Sequence, residues 1–435
     1  MKKPLSSVAR GFTQLFGSNL QQYTMVAALV VLAIAFQIMS GGRMLTPSNA
    51  QNLITGNAYV LMLAIGMVMV IVIGQIDLSV GSVAGFVGMF VSIVATNHGV
   101  HWLLAVLLGL VLGVAIGAWH GFWLSKVGIP GFITTLAGMM IFRGLVIWIS
   151  GSISVAAPKE LEFFGAGYLP EWGPSATGMN NSTLLLGAVA AAWFIWTQLK
   201  QRAQQLRHGD DAPLWVMLVR SALILVVVGY VTWLFASGRP GTSFPVPGVI
   251  LVVLVIIYHV ITQRTPFGRH VYAVGGNRAA AALSGVNTAR TYFLVMLNMS
   301  FLAALAGILF LGRSTAAGPS DGTNWELDAI AAVFIGGAAV SGGIGTVIRS
   351  VVGGLVMAVL NSGLMLMGAG AHQSMLIKGL VLLAAVAFDV YNKQQGRPSI
   401  IGYLTRRRPP AAAAEQGTAL GPVVTAADTT TRPAS

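Results

Sequence analysis

The chain has 435 residues, of which 55% are hydrophobic and only 9% charged. Soluble domains carry roughly a quarter charged residues, so a water-soluble globular protein is excluded at this length. Cysteine is absent, which removes disulfides, thiolate metal sites and a cysteine nucleophile. Twenty-five Lys and Arg against 12 acids give a formal charge of +13, an excess expected on the cytoplasmic side of a membrane protein.

A bilayer-spanning helix needs about 20 apolar residues. Such runs occur in chain order at 23–40, 57–76, 79–96, 101–124, 130–150, 183–199, 213–236, 247–263, 291–312, 327–345, 347–368 and 375–391. They predict an all-α polytopic integral membrane protein with about 10–12 transmembrane helices in two related halves. Ahead of the first run, Leu5, Val8, Phe12, Leu15, Phe16 and Leu20 recur at three- and four-residue spacing near Lys3 and Arg10. Segment 1–22 is therefore expected to hold an interfacial helix, with no cleaved signal peptide. After Arg408 alanine, threonine and proline predominate with no apolar period, and 392–435 is expected to be a disordered cytoplasmic tail. With the N-terminus inside, 18 of the 25 Lys and Arg fall on the cytoplasmic side and four (Arg43, Lys159, Arg239, Arg313) on the other. That asymmetry puts both termini in the cytoplasm.

Within the fourth run, Gly109, Gly113, Gly117 and Gly121 recur every four positions, a ridge that lets another backbone approach closely. An internal echo joins 73–82 to 335–344: Ile73, Gly74, Ser79 and Gly81 match Ile335, Gly336, Ser341 and Gly343. A second echo pairs Arg143-Gly144-Leu145-Val146 with Lys378-Gly379-Leu380-Val381. Glycine-interrupted apolar segments in corresponding halves point to a central pathway. Asp77, Ser79, Gly81, Asp328 and Ser341 are the pathway candidates, with helix capping the alternative for the two acids. Arg143, Arg220, Lys378 and Asp389 are the other ionisable residues in or near spans.

Enzyme signatures are sparse. No Gly is followed by Lys, so a GxxxxGK phosphate loop is excluded, and no His precedes Glu. Gly318-Pro319-Ser320-Asp321-Gly322 fits GxSxG, yet lies in a polar loop with no neighbouring His to serve as base. The seven His show no metal-ligand spacing. No catalytic residue, metal or cofactor is expected.

Segment 264–290 is too polar to span. Gly275, Gly276 and Asn277 are expected to form a turn into a short alanine-rich helix over 278–283, which Gly285 ends. A helix held parallel to the membrane suits docking to another protein. On that reading Gly276→Val, a β-branched residue where the turn needs freedom, distorts the docking surface.

This segment resembles the coupling segment of sugar-importing ABC transporter permeases of the ribose and xylose type. The resemblance rests on Gly268, Arg269, Tyr272, Ala273, Gly275, Gly276, Asn277, Leu283, Ser284 and Gly285, on IDLSVGS at 76–82 and on ELDAIAAVFIGG at 326–337. It covers about 45–395, and the extra apolar runs between 183 and 246 look like the xylose type. Where that family carries Glu and Arg, this chain has Ala279 and Ala282. The resemblance implies a permease subunit in the bacterial inner membrane that carries a pentose such as D-xylose and hydrolyses nothing itself. Cytoplasmic ATP-binding subunits, a periplasmic sugar-binding protein, a second permease copy and membrane lipid are the implied partners, and no nucleic acid is. Loops 151–182 and 313–326, with Glu160, Glu162, Glu171, Asp321 and Glu326, would face the binding protein. An ion-driven secondary transporter is the competing reading; it has no reason to keep the 264–290 segment.

Overall fold

In the computed structural model, residues 20–174, 177–207, 214–238 and 241–394 are described. The interfacial helix expected over 1–22 and the tail beyond 394 lie outside them, apart from the first residues of the helix that opens at Leu20. In chain order the helices are α1 Leu20–Met39, α2 Pro47–Val72, α3 Val80–Ser92, α4 Trp102–Phe122, α5 Gly131–Ser150, α6 Glu160–Ala166, α7 Asn181–Arg207 and α8 Leu214–Ala236. There follow α9 Val246–Arg264, α10 Pro266–Gly276, α11 Arg278–Leu283, α12 Thr288–Ser314, α13 Trp325–Ile335, α14 Val347–Leu366 and α15 Ala371–Gln394. π-helical turns extend α3 to Asn97 and α4 to Val127. Two short strands, β1 Val155–Ala156 and β2 Ala316–Ala317, pair antiparallel. Among the described residues, nine helices are long and apolar enough to cross a membrane, with shorter apolar stretches at Met25–Met39 and Ala371–Ala384. The protein is an all-α polytopic membrane protein.

Local chemistry sets the helix starts. Thr46, Thr265 and Thr346 accept from the backbone N–H three residues on, with Pro47 and Pro266 at the first helical position. The centre of the bundle is α2 and α12, whose apolar windows are 83% and 67% buried, whereas those of α7 and α8 are 6% and 0% buried. The first pair is core; the second is a peripheral hairpin. The glycine ridge of α4 packs on α12: a Cβ at Gly117 would lie 2.6 Å from Leu297 Cα, and one at Gly121 2.9 Å from Phe293 Cδ2. Only a residue without a side chain allows that separation.

Two expectations need correction. The run 327–345 is not one span. Helix α13 stops at Ile335 after 11 residues, about 16 Å of rise and half a hydrocarbon core. Four glycines with positive φ follow, Gly337, Gly342, Gly343 and Gly345, so the apolar residues among them form a loop. Gly275 and Gly276 are not a turn either: they close helix α10, and neither has a positive φ. The chain changes direction at Asn277, whose extended backbone separates α10 from α11.

Candidate functional site

At one end of the bundle, α10 and α11 form a helix pair outside the spans. Asn277 starts α11 by accepting from Ala280 N at 3.0 Å, and Gly285, at φ +84°, ends it as expected. Loss of this cap in Asn277→Ala costs about 1 kcal/mol, roughly a fivefold shift in local stability. Amide exchange over 278–283 should quicken by that factor; unchanged protection would contradict the capping role.

Three contacts fix α10 to the spans and to the Gly337–Gly345 loop. Gly275 lies against the end of α2, where a Cβ would be 2.8 Å from the Val72 carbonyl carbon and 2.9 Å from Gly343 N. Gly343 N itself donates to Val72 O at 2.8 Å. The Tyr272 hydroxyl donates to Gly345 O at 2.6 Å, and burial raises its pKa, so it stays protonated as the donor. Gly268 packs on the Thr262 and Ile261 carbonyls, which seats the start of α10 under α9. Arg269, Ser284 and Leu283 are exposed, Leu283 at 91%. Ser341 is also exposed and sits on the Gly337–Gly345 loop beside Gly275; it does not line the cavity described below.

The loop 73–79, at this same end, is held by side chains. Gln75 Oε1 accepts from Gly131 N at 2.9 Å, and Thr135 Oγ1 donates to Ile76 O. Asp77 is fully buried and accepts from Ser79 N at 2.8 Å and Ser79 Oγ at 2.6 Å, a local cap just before α3. Its second carboxylate oxygen and both His120 ring nitrogens have no hydrogen-bond partner among the described residues.

From the strand end, residues 318–324 run from β2 into the bundle and lead into α13. Gly318 N donates to Asp321 Oδ2 at 2.7 Å, so the GxSxG stretch is a turn closed by its own aspartate. Gly322, buried at φ +81°, meets Gly81, and a Cβ at either would strike the other's carbonyl oxygen. Irregular backbone at this depth is tolerable only where protein or a cavity receives it. Arg143, midway along α5, donates from Nη1 to the Thr323 hydroxyl and, at 3.4 Å, to Asp321 O. Lys378 of α15 pairs with Asp328, in the first turn of α13, at 3.0 Å. The two basic residues of the second sequence echo thus hold consecutive stretches of chain, Arg143 the entering segment and Lys378 the first turn of α13. Beside them opens a cavity of about 340 Å³, lined among others by Tyr59, Asn324, Trp325, Asp328, Met357 and Lys378.

Glu326 is buried, so it is not available to a docking partner as the loop reading expected; Asp321 is half-buried, and Glu160 and Glu162 are exposed. Glu171 is occupied in holding the start of α7, where its Oε1 accepts from Asn181 N at 3.0 Å. Arg220 lies in α8, and Asp389 on the backbone of α15. Sequence reasoning gave no role to Gln75, Thr135, Tyr59, Asn324 or Trp325. Only the Arg143–Lys378 echo signalled the stretch from the entering segment into α13 where the last two lie.

The family described as branched-chain amino acid transport system / permease component matches residues 49–386. The chain belongs to this family. The permease is 36% identical over 379 residues to the xylose transport system permease protein of Haemophilus influenzae, covering 87% of this chain and 98% of that one. The xylose transport system permease protein of Escherichia coli is also 36% identical, over 387 residues, with 88% and 95% covered. The ribose import permease protein of Bacillus subtilis is 31% identical over 377 residues, with 86% and 94% covered. No solved structure matches the chain. The matched region takes in α2 to α14, both the α10–α11 pair and the entering segment 318–324.

Proposed function

We propose that this permease is the membrane subunit of an ATP-driven, binding-protein-dependent importer of a pentose such as D-xylose. The observation that carries the reading is the near end-to-end likeness to xylose transport system permease proteins, 36% identical over 98% of one of them. The helix pair α10–α11 supports it. A rigid, solvent-facing pair fixed to α2 at Gly275 gives a soluble ATPase a surface on which to push, and Arg269, Leu283 and Ser284 present that surface. A carrier driven by an ion gradient needs no such projection.

On this reading the α10–α11 end and both termini are cytoplasmic, in the inner membrane, as the charge asymmetry favours. The opposite end, with exposed Glu160 and Glu162, meets the sugar-binding protein. The active unit contains two copies of the permease. Gly81 and Asp328 belong to the pathway, with Asp77 and Ser79 shaping the loop that enters α3. Ser341 belongs to the coupling side.

The test is a purification. A tagged permease drawn gently from its native membrane is expected to bring an ATP-binding subunit with it. Stripped of that subunit it should hydrolyse no ATP, because no phosphate-cradling loop is present. Hydrolysis that survives stripping, or a preparation that never carries an ATPase, would contradict the proposal.

A further inference from the structure

We infer that the cavity at the start of α13 is a sugar-recognition site within the permease, with the Lys378–Asp328 pair as its hydrogen-bonding element and Trp325 and Tyr59 as its apolar wall. The inference rests on the proposed import of a pentose and names where the permease itself contacts it.

Three observations carry it. First, the cavity of about 340 Å³ lies in the size range of small-molecule sites, about 300–1,000 Å³, and mixes apolar walls with a few convergent polar groups. Tyr59 and Trp325 stand 4.2 Å apart between ring centroids and Phe310 backs Trp325 at 4.5 Å, so the wall is an aromatic cluster. Second, the polar element is an ion pair between buried Asp328 of α13 and half-buried Lys378 of α15. Asp328 is 8% exposed and Lys378 donates to it at 3.0 Å. A pair with one member buried and the other half-buried is weak evidence for stability, because desolvation offsets attraction; ionisable residues within apolar helices mark function. Third, the pair is neutral as a whole and offers both donors and acceptors. That combination suits the hydroxyls of an uncharged polyol, whereas an anion or a cation would meet one repelling partner. Asn324, on the same wall, adds an amide. The entering segment places these groups at the start of α13, where sugar released at the strand end would arrive.

Because the chain has no cysteine, a single introduced cysteine is the one thiol of this subunit, and its labelling is read on this subunit alone once the partners are separated after the reaction. Met375, which lines the cavity, and Leu383, which is exposed on the same helix, are the positions to use. In the complete transporter reconstituted with its partners, D-xylose is expected to slow maleimide labelling of Met375→Cys and to leave Leu383→Cys unchanged. Xylose uptake by Asp328→Asn should fall roughly tenfold or more, since a site built for hydroxyls is left with an unmatched polar group. The double variant Asp328→Leu with Lys378→Met removes the pair without stranding a charge. It should reach the membrane and hold its ATPase at parental levels, yet transport as poorly. Parental uptake of D-xylose together with unprotected Met375→Cys, or with a double variant that transports normally, overturns the cavity assignment and leaves the proposed function standing. A parental complex that takes up no D-xylose overturns the proposed function, and the assignment falls with it.

Discussion

Gly275→Val is expected to lower transport by at least an order of magnitude while the protein still reaches the membrane. Its added side chain has no room. The Val72 carbonyl and Gly343 N, backbone atoms at about 3 Å or less from where a Cβ would sit, are joined to each other by a hydrogen bond and cannot rotate aside. Inserting carbon into such a contact costs about 1–3 kcal/mol, and the strain is relieved by tilting α10 off α2. The spans keep their own packing, so the loss is one of coupling. Gly276→Val is the control: nothing lies within 4 Å of a Cβ there, and its φ is not positive. A β-branched residue at a helix end costs a few tenths of a kcal/mol, so uptake should stay near the parental rate. Equal effects at the two positions would contradict the contact with Val72.

A second large effect is expected where the entering segment crosses α3. Gly81→Leu would drive its side chain into the Gly322 carbonyl and the Glu326 carboxylate, both buried. The partner residue is opposed twice: Gly322→Val would strike the Gly81 carbonyl and would also have to hold φ at +81°. Each should destabilise the folded permease by about 3 kcal/mol or more, seen as a Tm lowered by several degrees in detergent and as reduced yield. Gly144→Ala, at a position of α5 with nothing within 4 Å, should change neither. Parental stability of Gly81→Leu would mean that 318–324 does not pack where the structure has it.

Much of this architecture was legible because a bilayer imposes one length and one polarity on every span. The α4 ridge and the Asn277–Gly285 signals for α11 name their own physical roles, and the structure puts them to those uses. Hydropathy failed at Ile335, because Ala338, Ala339 and Val340 are as apolar as the helix before them while the glycines beside them turn the backbone. Gly275 misled for a related reason. A glycine needed for close approach and one needed for a turn look alike in sequence, and only the position of Val72 separates them. The cavity was the least visible feature. Asp328 and Lys378 are 50 residues apart, and nothing local to either announces the other. Their rarity among apolar residues marked them one at a time; the pairing is a product of tertiary structure.

The central claim is that sugar entry is driven by ATP through the α10–α11 pair. Its most direct test is D-[14C]xylose uptake into proteoliposomes that hold the permease with its ATP-binding subunits, the sugar-binding protein being added outside. Uptake is expected only with ATP sealed inside and the binding protein present, to survive ionophores that collapse every ion gradient, and to disappear in Gly275→Val. Uptake that runs without ATP and stops when the gradients collapse would contradict the account and establish an ion-driven carrier in its place.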